Sequence, residues 1–189
     1  MTIPEHLRAA YLATTLVTWD QDGFPVVLSG PWSDDLPGRR LHVITAWDPN
    51  GRPGGRKENA AAHRRLIADV EALGVQWSPA VGAARDGSHH ELGIVTDALT
   101  PARAIALGAE HGQLAVFELD DERLHVLPCD GDAPLVGERG DLFGEQALTE
   151  AHLRRGGPST RRSPATGCRA PGARPVEHPT PGASSTGCR

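Results

Sequence analysis

A break in composition after residue 153 limits what this 189-residue chain can fold into. Residues 154–189 contain no Ile, Leu, Met, Phe, Trp or Tyr; seven Arg, six Pro, six Gly and eight Ser or Thr make up most of them. Ordering a backbone costs about 1–2 kcal/mol per residue, and such a segment buries too little apolar surface to offset that cost. The segment therefore reads as a disordered tail. One four-residue stretch, Thr166-Gly167-Cys168-Arg169, recurs as Thr186-Gly187-Cys188-Arg189, but one recurrence in a biased segment does not define a repeat. The expected organisation is an α+β domain over 1–130, an acidic extension over 131–153 with a short helix near Glu145–Leu153, and the tail over 154–189.

Charge divides along the same line. The tail holds seven Arg against one Glu, which leaves 12 basic and 23 acidic side chains in residues 1–153. An acidic domain with only eight aromatic residues offers neither the cationic face nor the stacking platform that nucleic acid requires. Nucleic-acid contact is left to the Arg-rich tail and to the group Arg52–Lys57 with Arg64 and Arg65. No apolar run approaches the roughly 18 residues of a membrane span, and Met1–Tyr11 lacks a signal-peptide core. Three cysteines with no Cys-x-x-Cys pair make neither a disulfide framework nor a thiolate metal site, so the reducing cytoplasm is the expected compartment.

Within the domain, β-branched residues mark a strand over Leu12–Trp19, and Asp20–Gly23 turns the chain toward a partner at Phe24–Leu28. Leu41–Trp47 carries apolar residues on both alternating faces, as a central strand covered on both sides does. Arg56–Leu73 reads as a helix stopped by Gly74, with Asn59, His63, Leu66, Val70 and Leu73 within about 40° of one line. Strands follow at Val75–Val81 and Glu91–Thr96. A second helix starts at Thr100-Pro101 and stops at Gly112, and a hairpin pairs Gln113–Leu119 with Arg123–Pro128. The order β-β-β-α-β-β-α-β-β predicts a single α+β domain with two main helices on a mostly antiparallel sheet.

Several of these segments carry a recognisable pattern. Ile44-Thr45-Ala46-Trp47-Asp48-Pro49 closes a strand, Glu58-Asn59 opens the helix, and Gly112-Gln113-Leu114-Ala115 follows the second helix. The series resembles the bacterial domain-of-unknown-function family numbered 3293, over roughly residues 10–128. Two departures stand out: Asp48 occupies a position where the family pattern has Asn, and Asn50–Gly55 replaces a segment with a Ser N-cap. The resemblance implies the domain boundary and no established activity.

Asn59 and His63 place polar groups on a buried stripe, which costs about 1–3 kcal/mol unless partners are found. Asn59 either ties a neighbouring strand or lines a pocket beside Thr45–Pro49; His63 reads as a packing histidine. The Gly-rich loop before the helix, with Arg52, Arg56 and Lys57, suits an anion but lacks the Gly-Lys-Ser/Thr ending of a phosphate loop. In His89-His90-Glu91, adjacent residues point to opposite strand faces, and His89 with Glu91 gives two ligands where zinc takes three or four. No metal and no cofactor are expected. Glu91 and Glu118 are the candidate acid/base residues, able to pair only if their strands lie in suitable register.

The expected function is binding of a small, anionic molecule in a polar cleft, with Thr45, Asn59 and Gln113 as polar contacts and Arg56 facing the anion. Two alternatives are a noncatalytic interaction module using the acidic segment Glu118–Glu145, and nucleic-acid contact through the tail.

Overall fold

A computed structural model describes residues 2–29 and 39–138. The expected helix near Glu145–Leu153 and the tail over 154–189 lie outside the described residues.

Eight strands form one antiparallel sheet: β1 (Thr15–Trp19), β2 (Pro25–Val27), β3 (Leu41–Thr45), β4 (Ser78–Ala83), β5 (His90–Thr96), β6 (Ala115–Leu119), β7 (Arg123–Pro128) and β8 (Leu135–Glu138). Their order across the sheet is β2-β1-β4-β5-β3-β6-β7-β8. The β4–β5 hairpin thus inserts between β1 and β3, and the two longer helices make the crossovers. The predicted α+β class and antiparallel sheet are both observed.

Helix α2 (Arg56–Ala72) carries β3 to β4, and α3 (Pro101–Glu110) carries β5 to β6. Both cover one sheet face, where Ile44, Leu66, Val70, Ile94, Leu107 and Val116 form a core cluster. On the other face Leu16, Val43, Val95, Phe117, Leu124 and Val126 pack together. The central strand β3 supplies Val43 to one cluster and Ile44 to the other, as its two-sided apolar pattern predicts. Burying each such side chain contributes about 1.5–3 kcal/mol. Local signals agree at α3: Thr100 Oγ1 accepts a hydrogen bond from the Arg103 N–H, Pro101 fills the first helical position, and Gly112 beyond the end has φ 71°.

Two elements depart from expectation. Residues Glu5–Leu12 form a further helix, α1, so the first strand starts at Thr15 and not at Leu12. Pro4 caps α1 without a side-chain bond, and the helix has no buried residue, so its N-terminal signal is weak. Leu7, Tyr11 and Leu12 nonetheless pack on the second cluster, and α1 touches β7 and β8 although it leads directly into β1. The sheet is therefore curled, and α1 closes its inner face. The second departure is β8, which pairs with β7 inside the segment expected to be an acidic extension.

Smaller shifts follow from burial. The buried residues of α2 are Asn59, Ala62, Leu66 and Val70, while Leu73 is exposed, so the buried stripe runs through Ala62 and stops short of the helix end. Strand β4 starts at Ser78, not at Val75, and β3 ends at Thr45, because Ala46–Asp48 leaves the sheet to make a turn.

Candidate functional site

The turn after β3 organises the site. Asp48 lies in the left-handed region (φ 47°), which Asp and Asn tolerate better than other side-chain-bearing residues, and Asn50 and Gly51 follow at positive φ. Three of the sequence candidates hold this turn. Thr45 Oγ1 accepts from the Trp47 N–H at 3.1 Å and donates to the Leu92 carbonyl at 3.0 Å. Gln113 Nε2 donates to the Trp47 carbonyl at 2.9 Å. Asn59 Oδ1 accepts from the Asp48 N–H at 3.0 Å, and its Nδ2 donates to Asp48 Oδ1 at 2.7 Å. The Gly54 N–H donates to the same Oδ1 at 2.8 Å. Thr45, Asn59 and Gln113 converge on the turn, through main chain and the Asp48 carboxylate; their polar atoms position Trp47 and Asp48.

Asp48 faces a cavity of about 400 Å³. Apolar walls come from Leu7 and Tyr11 of α1 and from Leu114 and Phe117 at β6, with the Tyr11 and Phe117 ring centroids 5.8 Å apart. Polar groups gather where the β4–β5 turn meets the Asp48 turn. There His89 Nε2 lies 2.9 Å from Glu91 Oε1, and the donor atoms of Asp48, His89 and Glu91 all fall within 4.8 Å of one another. Glu91 stands opposite Gly82 in the β4–β5 ladder, and the missing side chain leaves space beside it. His89 and Glu91 share a face as their spacing predicts; the turn at Asp48 adds a third donor that strand periodicity alone does not supply. His90 points the other way, its ring 5.8 Å from that of Trp47.

Electrostatics sharpen the contrast between wall and rim. The hydrogen bond to Glu91 raises the His89 pKa above the ordinary 6.5; partial burial opposes this, and the charges of Glu91 and Asp48 reinforce it. Burial, together with the Glu91 and Cys129 charges, pushes the Tyr11 phenol up to about 12, so it stays protonated. The indole Nε1 of Trp47 is buried and has no hydrogen-bond partner.

Arg56 is exposed and borders a second, wider groove of about 730 Å³, reached on the other side of Asp48 and His89. The expected anion-facing residue therefore does not line the 400 Å³ cavity.

Glu118 is elsewhere. His42 pairs with both Thr96 and Glu118 across the ladders, so Glu118 stands level with Thr96, five residues along β5 from Glu91. That is about 17 Å of strand, and the odd spacing puts the two carboxylates on opposite faces. The proposed Glu91–Glu118 acid/base pair is not formed. At 5 % exposure Glu118 also presents no surface, so the acidic interaction segment loses its first member. His63 stays on α2 away from both hollows; burial, with a smaller contribution from Arg64, lowers its pKa.

Sequence reasoning passed over Tyr11, Leu7 and Trp47. The i, i+4 spacing of Leu7 and Tyr11 is the signal that would have found α1.

Fold and site together define an α+β domain whose curled sheet holds an apolar cavity rimmed by carboxylates and an imidazole. Residues 44–116 match the model of a family described as Protein of unknown function (DUF3293), so this segment is similar to that family. The matched span includes Asp48, Asn59, His89, Glu91 and Gln113, and excludes Tyr11 and Glu118. No curated protein and no solved structure matches the chain.

Proposed function

We propose that this domain binds a small molecule whose apolar body fills the cavity between α1 and β6 and whose polar end meets Asp48, His89 and Glu91. The single observation behind this reading is the cavity itself. At about 400 Å³ it falls in the range of small-molecule sites, and it combines apolar walls with a few clustered polar groups. Hydrogen bonds to Thr45, Asn59 and Gln113 hold the turn that carries Asp48, which gives the rim a fixed geometry before any ligand arrives.

The cysteine pattern supports a reducing, cytoplasmic setting. Cys129 is a free thiol whose pKa burial pushes up to about 11, with Asp130 adding to the rise, so it is held as an unreactive thiol. Among the described residues no helix is long and apolar enough to cross a membrane.

A thermal-shift screen of amphipathic metabolite-sized compounds tests the reading, because a ligand of the folded state raises Tm by mass action. Ala10 is an exposed residue of α1 at the cavity, so Ala10→Trp fills the hollow without disturbing the core. Compounds that stabilise the unmodified chain should lose their effect on Ala10→Trp. Stabilisation that persists in Ala10→Trp would place binding outside the cavity, and a screen without a single responder would reject the reading.

A further inference from the structure

The three polar side chains at the rim have the composition and spacing of a metal site. We propose that Asp48, His89 and Glu91 hold a first-row divalent cation at the mouth of the cavity, with open coordination positions facing a ligand bound inside. The ligand half of this inference rests on the cavity reading above; the cation half stands on its own geometry.

Ligand atoms about 2.1 Å from one ion lie about 3.0 Å apart when adjacent and about 4.2 Å apart when opposed. His89 Nε2 and Glu91 Oε1 are already 2.9 Å apart, and all three donors lie within 4.8 Å of one another. A cation taking the place of the shared proton needs little movement of these two side chains. Each support is separate: Asp48 projects from a left-handed turn, while His89 and Glu91 project from one face of the β4–β5 hairpin.

The groups that hold the Asp48 carboxylate are in place as well. Asp48 Oδ1 accepts from both the Gly54 N–H and Asn59 Nδ2, bonds that orient the carboxylate toward the rim. Gly54 has no room for a side chain, since a Cβ there would lie 2.6 Å from Asn59 Oδ1. Among the described residues neither Asp48 nor Glu91 has an Arg or Lys partner, although Glu91 is three-quarters buried. Two carboxylates thus face each other with only an imidazole between them. Independently, the buried Trp47 Nε1 lacks an acceptor in a residue that lines both the cavity and the groove. Buried donors rarely stay unpaired, and an oxygen-bearing ligand on the cation is an acceptor of the right kind.

Donor chemistry narrows the ion. One imidazole and two carboxylates with no thiolate suit zinc, manganese or ferrous iron, and three protein ligands leave the open positions found in sites that engage a substrate. The ion also changes what the rim accepts. Two carboxylates alone repel anions, whereas a dication neutralises them and takes oxygen or nitrogen donors, carboxylates included.

The test uses the full chain, stripped with EDTA and titrated calorimetrically with zinc chloride or manganese chloride alone. One ion per chain should bind with micromolar affinity or better. Affinity should fall by about 100-fold or more in His89→Ala and in Glu91→Gln, at least the loss reached when only a group hydrogen-bonded to a ligand is changed. His90→Ala removes the neighbouring histidine on the opposite face and should bind within about threefold of the unmodified chain. Absence of binding, or binding that survives both His89→Ala and Glu91→Gln, overturns the proposal. Circular dichroism of the variants separates loss of a ligand from loss of the fold. Repeating the compound screen in EDTA keeps the two readings apart: responders that persist there uphold the cavity when the cation fails. Cation binding in a chain without responders upholds the site when the cavity fails.

Discussion

His42 and Glu118 face each other across the β3–β6 ladder, with Nε2 of the imidazole 3.0 Å from Oε2 of the carboxylate and both residues buried. Arg40, mostly exposed, reaches the other carboxylate oxygen at 3.4 Å. This cross-strand pair sits at the end of the sheet away from the cavity rim and ties β3 to β6. Removing one partner strands the other in the core, so Glu118→Ala should cost about 2–3 kcal/mol. Glu118→Gln keeps an acceptor for the imidazole N–H and should cost about 1 kcal/mol. Urea denaturation of the two variants measures the difference, and equal losses would show that the hydrogen bond contributes nothing.

Acid should destabilise the fold through His42 and His63, the two histidines whose pKa burial lowers. Burial lowers the pKa of His42 below the ordinary 6.5; Glu118 partly opposes this and Arg40 adds to it. Burial also lowers the pKa of His63, with Arg64 adding a smaller push. An unfolded chain therefore binds more protons than the folded one just below pH 6.5, and stability falls as pH drops through that range toward the folded-state values. Tm measured from pH 7.5 to pH 5 should decline, and His63→Gln should make the decline shallower. A slope unchanged by that substitution would assign the effect to other groups.

Helix propensity and packing make opposite predictions for Gly108. Alanine is favoured over glycine in a helix interior by about 1 kcal/mol. On α3, however, a Cβ at position 108 would meet Val116 Cγ1 in hard contact and lie 3.0 Å from Cys129 Sγ. Overpacking of this kind costs about 1–3 kcal/mol, so Gly108→Ala should lower stability despite its better propensity. A higher denaturation midpoint would show that β6 yields to the added methyl group.

The Asp48 turn should depend on Asn59 more than on any other side chain. Asn59 is 4 % exposed and makes both a main-chain and a side-chain bond to Asp48. Asn59→Ala strands the Asp48 N–H and should cost about 1–3 kcal/mol. Asn59→Asp sets a second carboxylate against Asp48 and loses the amide donor, so it should cost more. Amide exchange at Asp48 is the direct readout, with protection lost in both variants.

Local chemistry made much of this architecture legible. Two-sided apolar alternation marks β3 as central, Thr100-Pro101 and Gly112 bracket α3, and Asp120–Glu122 punctuates the β6–β7 hairpin, because each signal acts within a few residues of its effect. Strand parity likewise places His89 beside Glu91 and His90 opposite. Helix α1 escaped because its cap is a proline without a side-chain acceptor and no residue in it is fully buried; its packing depends on strands that arrive more than a hundred residues later.

What the sequence by itself determined was β1 to β7, helices α2 and α3, and the polar residues Thr45, Asn59 and Gln113, since caps, turn residues and periodicity are local. The tertiary structure alone decided what those residues do. Insertion of the β4–β5 hairpin between β1 and β3, and the curl that brings α1 over β6, create the cavity and carry His89 and Glu91 to Asp48. The same strand order sends Glu118 to the far end and the opposite face. Non-local pairing sets register, and register fixes which side chains share a face and an end of the sheet. No window along the chain contains that information.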